Sequence, residues 1–257
     1  MKAPIHLEGK VVLVTGGSRG IGEAIARACG AAGARLAIAS RKLEGVTAAA
    51  ERLRAEGLTV EPFACHTGKL DDIKRLIAGA VDKLGKIDVL VNNAATNPYF
   101  GPMMGVDEGA FDKTFEVNVK GYFHVAREVA RHMIDRGAPG SIINIASIQG
   151  LGGAPLQGVY AMTKAAVISM TRTFAVELAS SKIRVNAIAP GLTDTRFASA
   201  LLGNKDILDR VVERTPLARY AEPHEIAGAA VYLASDAASF VTGETIVVDG
   251  GLTINSV

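Results

Sequence analysis

With 257 residues, 49% of them apolar, and a formal net charge of +2, the chain has the size of one large α/β domain and can bury a sizeable core. So slight a charge excess excludes neither sign of small ligand, but it gives no reason to expect nucleic acid or an anionic membrane as partner. Cys29 and Cys65 lack metal-like spacing, and His6, His66, His124, His132 and His224 are scattered, so free thiols in a reducing compartment and no metal site are expected.

Met1–Pro4 lacks the apolar core of a leader, no run reaches membrane-spanning length, and the terminal Asn255-Ser256-Val257 is not a peroxisomal address. The expected location is cytoplasmic.

Apolar β-rich runs alternate with helical patterns from end to end. Lys10–Val14 reads as a buried strand, followed by a helix over Ile21–Ala32 that ends at Gly33. Arg35–Ala39 is a second strand, and Leu43–Ala55 a helix stopped by Gly57. Thr59–Ala64 and Leu70–Leu84 repeat the pattern. Ile87–Val91 then opens into Asn92-Asn93-Ala94-Ala95. A single long helix is expected over Phe111–Arg136. The strands Ser141–Ala146 and Ile183–Ile188 flank a helix over Tyr160–Ser180. Pro223, as the first helical residue, begins a helix to Ala234, and Thr245–Val248 is the last strand. This alternation predicts an α/β fold: a single-domain, Rossmann-type, doubly wound parallel sheet of about seven strands with helices on both faces. Ligands of such sheets bind at the carboxyl ends of the strands.

Between the first strand and helix lies Thr15-Gly16-Gly17-Ser18-Arg19-Gly20-Ile21-Gly22. Glycines let backbone approach a pyrophosphate, and a helix N-terminus offers free N–H groups and a positive dipole end. The G-x-x-x-G-x-G spacing is a variant of the dinucleotide fingerprint. The same residues also match the G-x-S-x-G nucleophile elbow of serine hydrolases around Ser18, but only one strand precedes it and no His-Gly-Gly-Gly motif appears.

The end of the second strand carries Ser40-Arg41-Lys42 where an NAD site would place Asp or Glu. Ser40 and Arg41 can donate to a ribose 2′-phosphate, and Arg19 can close on the same group, so NADP(H) is the expected cofactor. Farther along, Tyr160 and Lys164 stand at i and i+4 on a helix, where an ammonium beside a phenol would lower its pKa and suit it to general acid–base work. Ser147, at a strand end, can hold a substrate oxygen beside that phenol.

These motifs, in order, resemble the classical short-chain dehydrogenase/reductase family over roughly residues 7–252: the turn at 15–22, Asn92-Asn93-Ala94, Asn118, Ser147, Tyr160-x-x-x-Lys164, and Pro190-Gly191 followed by Thr193. The run Asn92–Gly101 looks further like the branch of NADPH-dependent carbonyl, dicarbonyl and retinal reductases. The resemblance implies that Tyr160 is the general acid–base and that Lys164 lowers its pKa and binds the nicotinamide ribose. It implies that Ser147 orients the substrate oxygen and that Asn118 holds a relay water. Gly16, Ser18, Arg19, Gly20, Ile21, Gly22, Asn92, Ala94, Pro190, Gly191, Leu192 and Thr193 then line the cofactor, with Cys65 and His66 beside the adenine. Two departures stand out: His66 where the family commonly has Asp, and Ala95 in place of the usual glycine.

Residues 192–217, with Phe197, Leu201 and Leu202, are expected to cover a pocket faced by Asn97–Phe100 and Ile148–Gln157, and their apolar character favours a hydrophobic carbonyl substrate. The leading reading is a carbonyl reductase. Its alternatives are a 3-oxoacyl-carrier-protein reductase docking its carrier through Lys182 and Arg131, a non-catalytic NADP(H) sensor, and the serine hydrolase. Kinship also implies a homotetramer built on the helices at 111–136 and 160–180.

Overall fold

A computed structural model describes residues 5–255; Met1–Pro4 and Ser256–Val257, read above for targeting signals, lie outside the described residues. Seven strands form one parallel sheet in the order β3-β2-β1-β4-β5-β6-β7. They are β1 (Val11–Thr15), β2 (Arg35–Ser40), β3 (Val60–Ala64), β4 (Val89–Asn92), β5 (Gly140–Ile145), β6 (Ile183–Pro190) and β7 (Thr245–Val248). The chain builds outward from β1 to one side, then returns to place β4 on its other edge. The β1/β4 boundary is therefore the topological switch point, where such sheets open a crevice for ligands.

The period-2 alternation of a strand sorts its side chains between two helical layers. Val12 and Val14 pack with Leu36, Ile38 and the buried faces of α1 (Gly20–Ala31), α2 (Leu43–Ala55) and α9 (Pro223–Ala234). Val11 and Leu13 face the other way, against α3 (Leu70–Leu84) and α5 (Tyr122–Asp135). Each Leu or Ile fully withdrawn from water contributes about 1.5–3 kcal/mol, so this two-sided core holds the strand ends in fixed register. Local signals set the helix limits. Asp107 accepts the Ala110 N–H at 2.8 Å and starts α4 (Glu108–Phe115), and Gly85 ends α3 at φ 81°.

One expectation is corrected. The single helix expected over Phe111–Arg136 begins earlier, at Glu108, and is broken: a π-helical turn over Glu116–Gly121 separates α4 from α5. A wide turn of this kind re-aims side chains and is frequent at functional sites, and Asn118 lies in its middle. The segment 192–217 holds a 3₁₀ turn at Arg196–Ala198, α7 (Ser199–Leu202) and α8 (Lys205–Arg214). Among the described residues no helix is long and apolar enough to cross a membrane, and no cluster of side chains could hold a metal ion.

Candidate active site

At the switch point Thr15, the last residue of β1, receives the backbone N–H groups of Asn93 (3.0 Å) and Ala94 (3.2 Å) on its hydroxyl. The Asn93 amide returns the contact, donating to the carbonyls of Thr15 (3.0 Å) and Gly16 (3.2 Å). The glycine turn is thus braced from β4. Gly16 sits at φ +67° and a Cβ there would lie 2.7 Å from Asn93 Nδ2; at Gly22 it would lie 2.4 Å from both Asn93 Nδ2 and the Gly16 carbonyl. Only glycine fits either position. Arg19, the residue before α1, makes no side-chain cap, which leaves the first-turn N–H groups of Gly20, Ile21 and Gly22 for an incoming anion. This cradle fits a dinucleotide pyrophosphate.

The other predicted cofactor residues gather at the same edge with some changes of role. Arg19 and Arg41 are exposed, whereas the Ser40 hydroxyl donates to the Lys42 carbonyl at 3.1 Å. The Asn92 side chain points into the core, its amide donating to Asn144 Oδ1 (3.1 Å) and the Tyr122 carbonyl (3.2 Å), with its own Oδ1 buried and unpartnered. Its neighbour Asn93, assigned no role from sequence, is the one that shapes the turn. Cys65 is likewise buried, its thiol pushed up to about 12 by burial; His66 beside it is partly open. Pro190 ends β6, and Gly191 passes so close to Asp249 that a Cβ would meet its Cα at 2.8 Å. Thr193 bridges to Ala221, and the Ala221 N–H donates to the Leu192 carbonyl at 2.9 Å. The segment after β6 is thereby pinned beside the crevice.

The predicted catalytic residues converge at the ends of β5 and α6 (Gly158–Leu178). Ser147, Tyr160 and Lys164 are all buried. Lys164 Nζ donates to the Ile145 carbonyl at 2.6 Å and to the Tyr122 hydroxyl at 3.3 Å, and lies 5.6 Å from the Tyr160 ring centre. The Asn118 amide clasps Thr96, accepting its N–H at 2.8 Å and donating to its carbonyl at 2.9 Å. Its second N–H goes to Thr163 Oγ1 at 3.2 Å, whose hydroxyl donates to the Tyr160 carbonyl at 2.6 Å. Both amide hydrogens of Asn118 are therefore committed to holding the Thr96 loop and the start of α6. Gly150, in the turn after Ser147, presses on α6: its Cβ would lie 2.6 Å from the Lys164 carbonyl carbon.

The electrostatics depart from expectation. Burial raises the Tyr160 pKa well above that of a free phenol, opposed by a hydrogen bond with Ser147. Burial also depresses Lys164 to about 7. Desolvation disfavours the charged form of each group, so Tyr160 is held as the neutral phenol. Phe197, from the covering segment, lies with its ring centre 5.6 Å from that of Tyr160.

A parallel sheet with a glycine cradle at its switch point and a buried tyrosine–lysine pair one strand over is the architecture of a Rossmann-type oxidoreductase. A family model described as enoyl-(acyl carrier protein) reductase matches residues 16–253. Human "dehydrogenase/reductase SDR family member 4" is 42% identical over 245 residues, covering 95% of this chain and 88% of that protein. Among solved structures, a gluconate 5-dehydrogenase from Burkholderia cenocepacia in complex with NADP and tartrate superposes with a TM-score of 0.94 at 37% identity, covering 98% of each chain. A 7α-hydroxysteroid dehydrogenase complexed with NADH and 7-oxo glycochenodeoxycholic acid gives 0.92 at 31% identity, covering 96% of each. The chain belongs to the classical short-chain dehydrogenase/reductase family and is an oxidoreductase.

Proposed function

We propose that the protein is an NADP(H)-dependent carbonyl reductase acting on a hydrophobic ketone or aldehyde, and on the matching secondary alcohol in reverse. One observation carries the reading: Tyr160, Ser147 and Lys164 meet, buried, at the strand ends beside a cradle that fits a dinucleotide. When bound, the nicotinamide supplies or receives the hydride. Ser147 and Tyr160 hold the substrate oxygen, and Tyr160 gives its proton to the developing alkoxide. Burial favours the neutral phenol, the form that has a proton to donate. Lys164, whose ammonium burial disfavours, binds the cofactor ribose. Asn118 contributes by fixing Thr96 and α6.

Arg41 and Arg19, with no carboxylate at the end of β2, support NADP(H) over NAD(H). The half-exposed Phe197 ring, 5.6 Å from that of Tyr160, supports an apolar substrate over a sugar acid. The 3-oxoacyl-carrier-protein reductase remains the second reading; the description of the matching family model shares its carrier-bound class of substrate, though it names reduction of a carbon–carbon double bond. A groove lined by Phe115, Val119, Phe123, Ala166 and Met170, together with the charged Asp112, Glu116 and Lys120, supports association through α5 and α6, and we take the protein to be a cytoplasmic homotetramer.

The test is NADPH oxidation over ketones, diketones, aldehydes and acyl thioesters, repeated with NADH and with Tyr160→Phe. Turnover on hydrophobic carbonyls, lowered by about 10²–10⁴ in the variant with cofactor binding retained, is expected. Turnover confined to acyl thioesters would favour the second reading, and near-normal turnover of the variant would overturn the role of Tyr160.

A further inference from the structure

We propose that Lys113, on α4, is a cofactor-positioning residue: with His66 it forms a donor pair that seats an acceptor atom on the adenosine half of NADP(H). The inference rests on the cofactor reading above and assigns a residue that the resemblance does not reach. The His66 ring is held at both nitrogens. Nδ1 accepts the Gly68 N–H at 3.0 Å, and Nε2 lies 3.1 Å from Lys113 Nζ, a residue 47 positions along the chain. Lys113 in turn is paired with Glu116 at 2.9 Å. Gly68 leaves the space for this arrangement, because a Cβ there would lie 2.4 Å from Glu116 Oε1.

Proton counting makes this cluster incomplete. A neutral imidazole has one N–H and one lone pair. With Nδ1 accepting from Gly68, the proton sits on Nε2 and faces an ammonium, which has donors only. With the other tautomer, the ring N–H faces the Gly68 N–H instead. Burial and the Lys113 and Arg41 charges lower the ring's pKa against the opposing pull of Glu116, and a second ring proton would add another donor facing the Gly68 N–H. An acceptor set to one side, within hydrogen-bond reach of both Nε2–H and Lys113 Nζ, satisfies both donors. His66 follows β3 at the carboxyl edge of the sheet, the edge that carries Ser40 and Arg41, and its backbone is fixed there by Asp72, which accepts its N–H at 3.1 Å. The acceptors a bound NADP(H) can bring to this edge are an adenine ring nitrogen and a 2′-phosphate oxygen. A carboxylate at position 66 would itself be an acceptor; His66 with Lys113 reverses that polarity.

The test compares wild type, Lys113→Met and Lys113→Arg by fluorescence titration with NADPH and with NADH, alongside steady-state kinetics. A charge-assisted hydrogen bond lost on truncation predicts about a tenfold rise in Kd and in KM for NADPH, with kcat at saturating cofactor little changed and Arg restoring most of the affinity. A larger loss for NADPH than for NADH assigns the acceptor to the 2′-phosphate, and equal losses assign it to the adenine. Unaltered Kd for both cofactors in a folded Lys113→Met protein overturns the inference and leaves the cofactor reading standing. Failure of the wild type to bind either nucleotide overturns both.

Discussion

Asn93 and Gly16 clasp each other across the switch point of the sheet: the side-chain amide of one donates to the carbonyl of the other at 3.2 Å, and leaves no room for a Cβ. The turn is thus built by a side chain from the neighbouring strand before any ligand arrives. Gly22 closes the same contact. Its replacement by alanine would set a methyl 2.4 Å from the Gly16 carbonyl, a backbone atom that moves only with the whole turn. Gly22→Ala is expected to cost about 1–3 kcal/mol of stability as overpacking does, and to weaken NADPH binding at least tenfold, on the order of 1.4 kcal/mol. Thermal unfolding and fluorescence titration check both, and wild-type values in the two measurements would show the clasp to have slack.

Lys164 gives a pH signature. Its folded pKa is depressed by burial from 10.5 to about 7, so above pH 7 the unfolded chain holds a proton that the folded chain has released. Stability then rises with pH, by at most about 1.4 kcal/mol per unit. Below pH 7 both states are protonated, the penalty is complete, and this slope vanishes. Above about pH 8.5 the trend is opposed by Cys29 and Cys65, whose thiols burial pushes up to about 12, because unfolded thiols ionise first. Urea denaturation between pH 6.5 and 8.5 should show the rise in wild type and a flatter profile in Lys164→Met. Equal slopes in the two proteins would place the lysine's ionisation elsewhere.

The sheet was legible because period-2 burial and glycine stops write themselves into sequence: Val12 and Val14 on one face, Val11 and Leu13 on the other. The convergence of Ser147, Tyr160 and Lys164 was legible for the same reason, since strand ends and helix starts carry them. What escaped depended on contacts between distant residues. Nothing local distinguishes Asn92, whose amide is spent on Asn144, from Asn93, whose amide shapes the turn. The π turn around Asn118 lies inside a run whose helical periodicity continues through it. The direction of the Tyr160 shift needed burial, which spacing does not report.

In the NADP(H) reading proposed above, cofactor choice follows from charge at the end of β2. Arg41 is exposed there and the Ser40 hydroxyl is turned to Lys42, so the arginine carries most of the attraction for a 2′-phosphate. Replacing Ser40 by Asp and Arg41 by Ile removes one charged hydrogen-bond partner and adds a repulsive carboxylate. The ratio of kcat/KM for NADPH to that for NADH should fall about a hundredfold. An undiminished preference for NADPH in that double variant would assign discrimination to Arg19 or to Lys113.

Gly150 sits between the Ser147 turn and α6, the helix that carries Tyr160. Its N–H donates to the Ser147 carbonyl at 3.0 Å, closing the turn that also directs the Gln149 N–H onto Ser147 Oγ at 3.2 Å. On its open side it rests against α6, where a Cβ would meet the Lys164 carbonyl carbon at 2.6 Å and the Ala165 nitrogen at 2.8 Å. Those are backbone atoms of a helix packed on the sheet, so an alanine must push the Ser147 turn outward. Gly152 and Gly153, a few residues on, have nothing within 4 Å of their would-be Cβ atoms and serve as matched controls. A displacement near 1 Å of a group that orients substrate costs about a hundredfold in rate. Gly150→Ala should therefore lose about that much kcat with NADPH affinity preserved, because the glycine cradle stands on β1 and is braced from β4. Gly153→Ala should stay near wild type. Were both variants equally active, the close approach of this turn to α6 would have no part in placing Ser147.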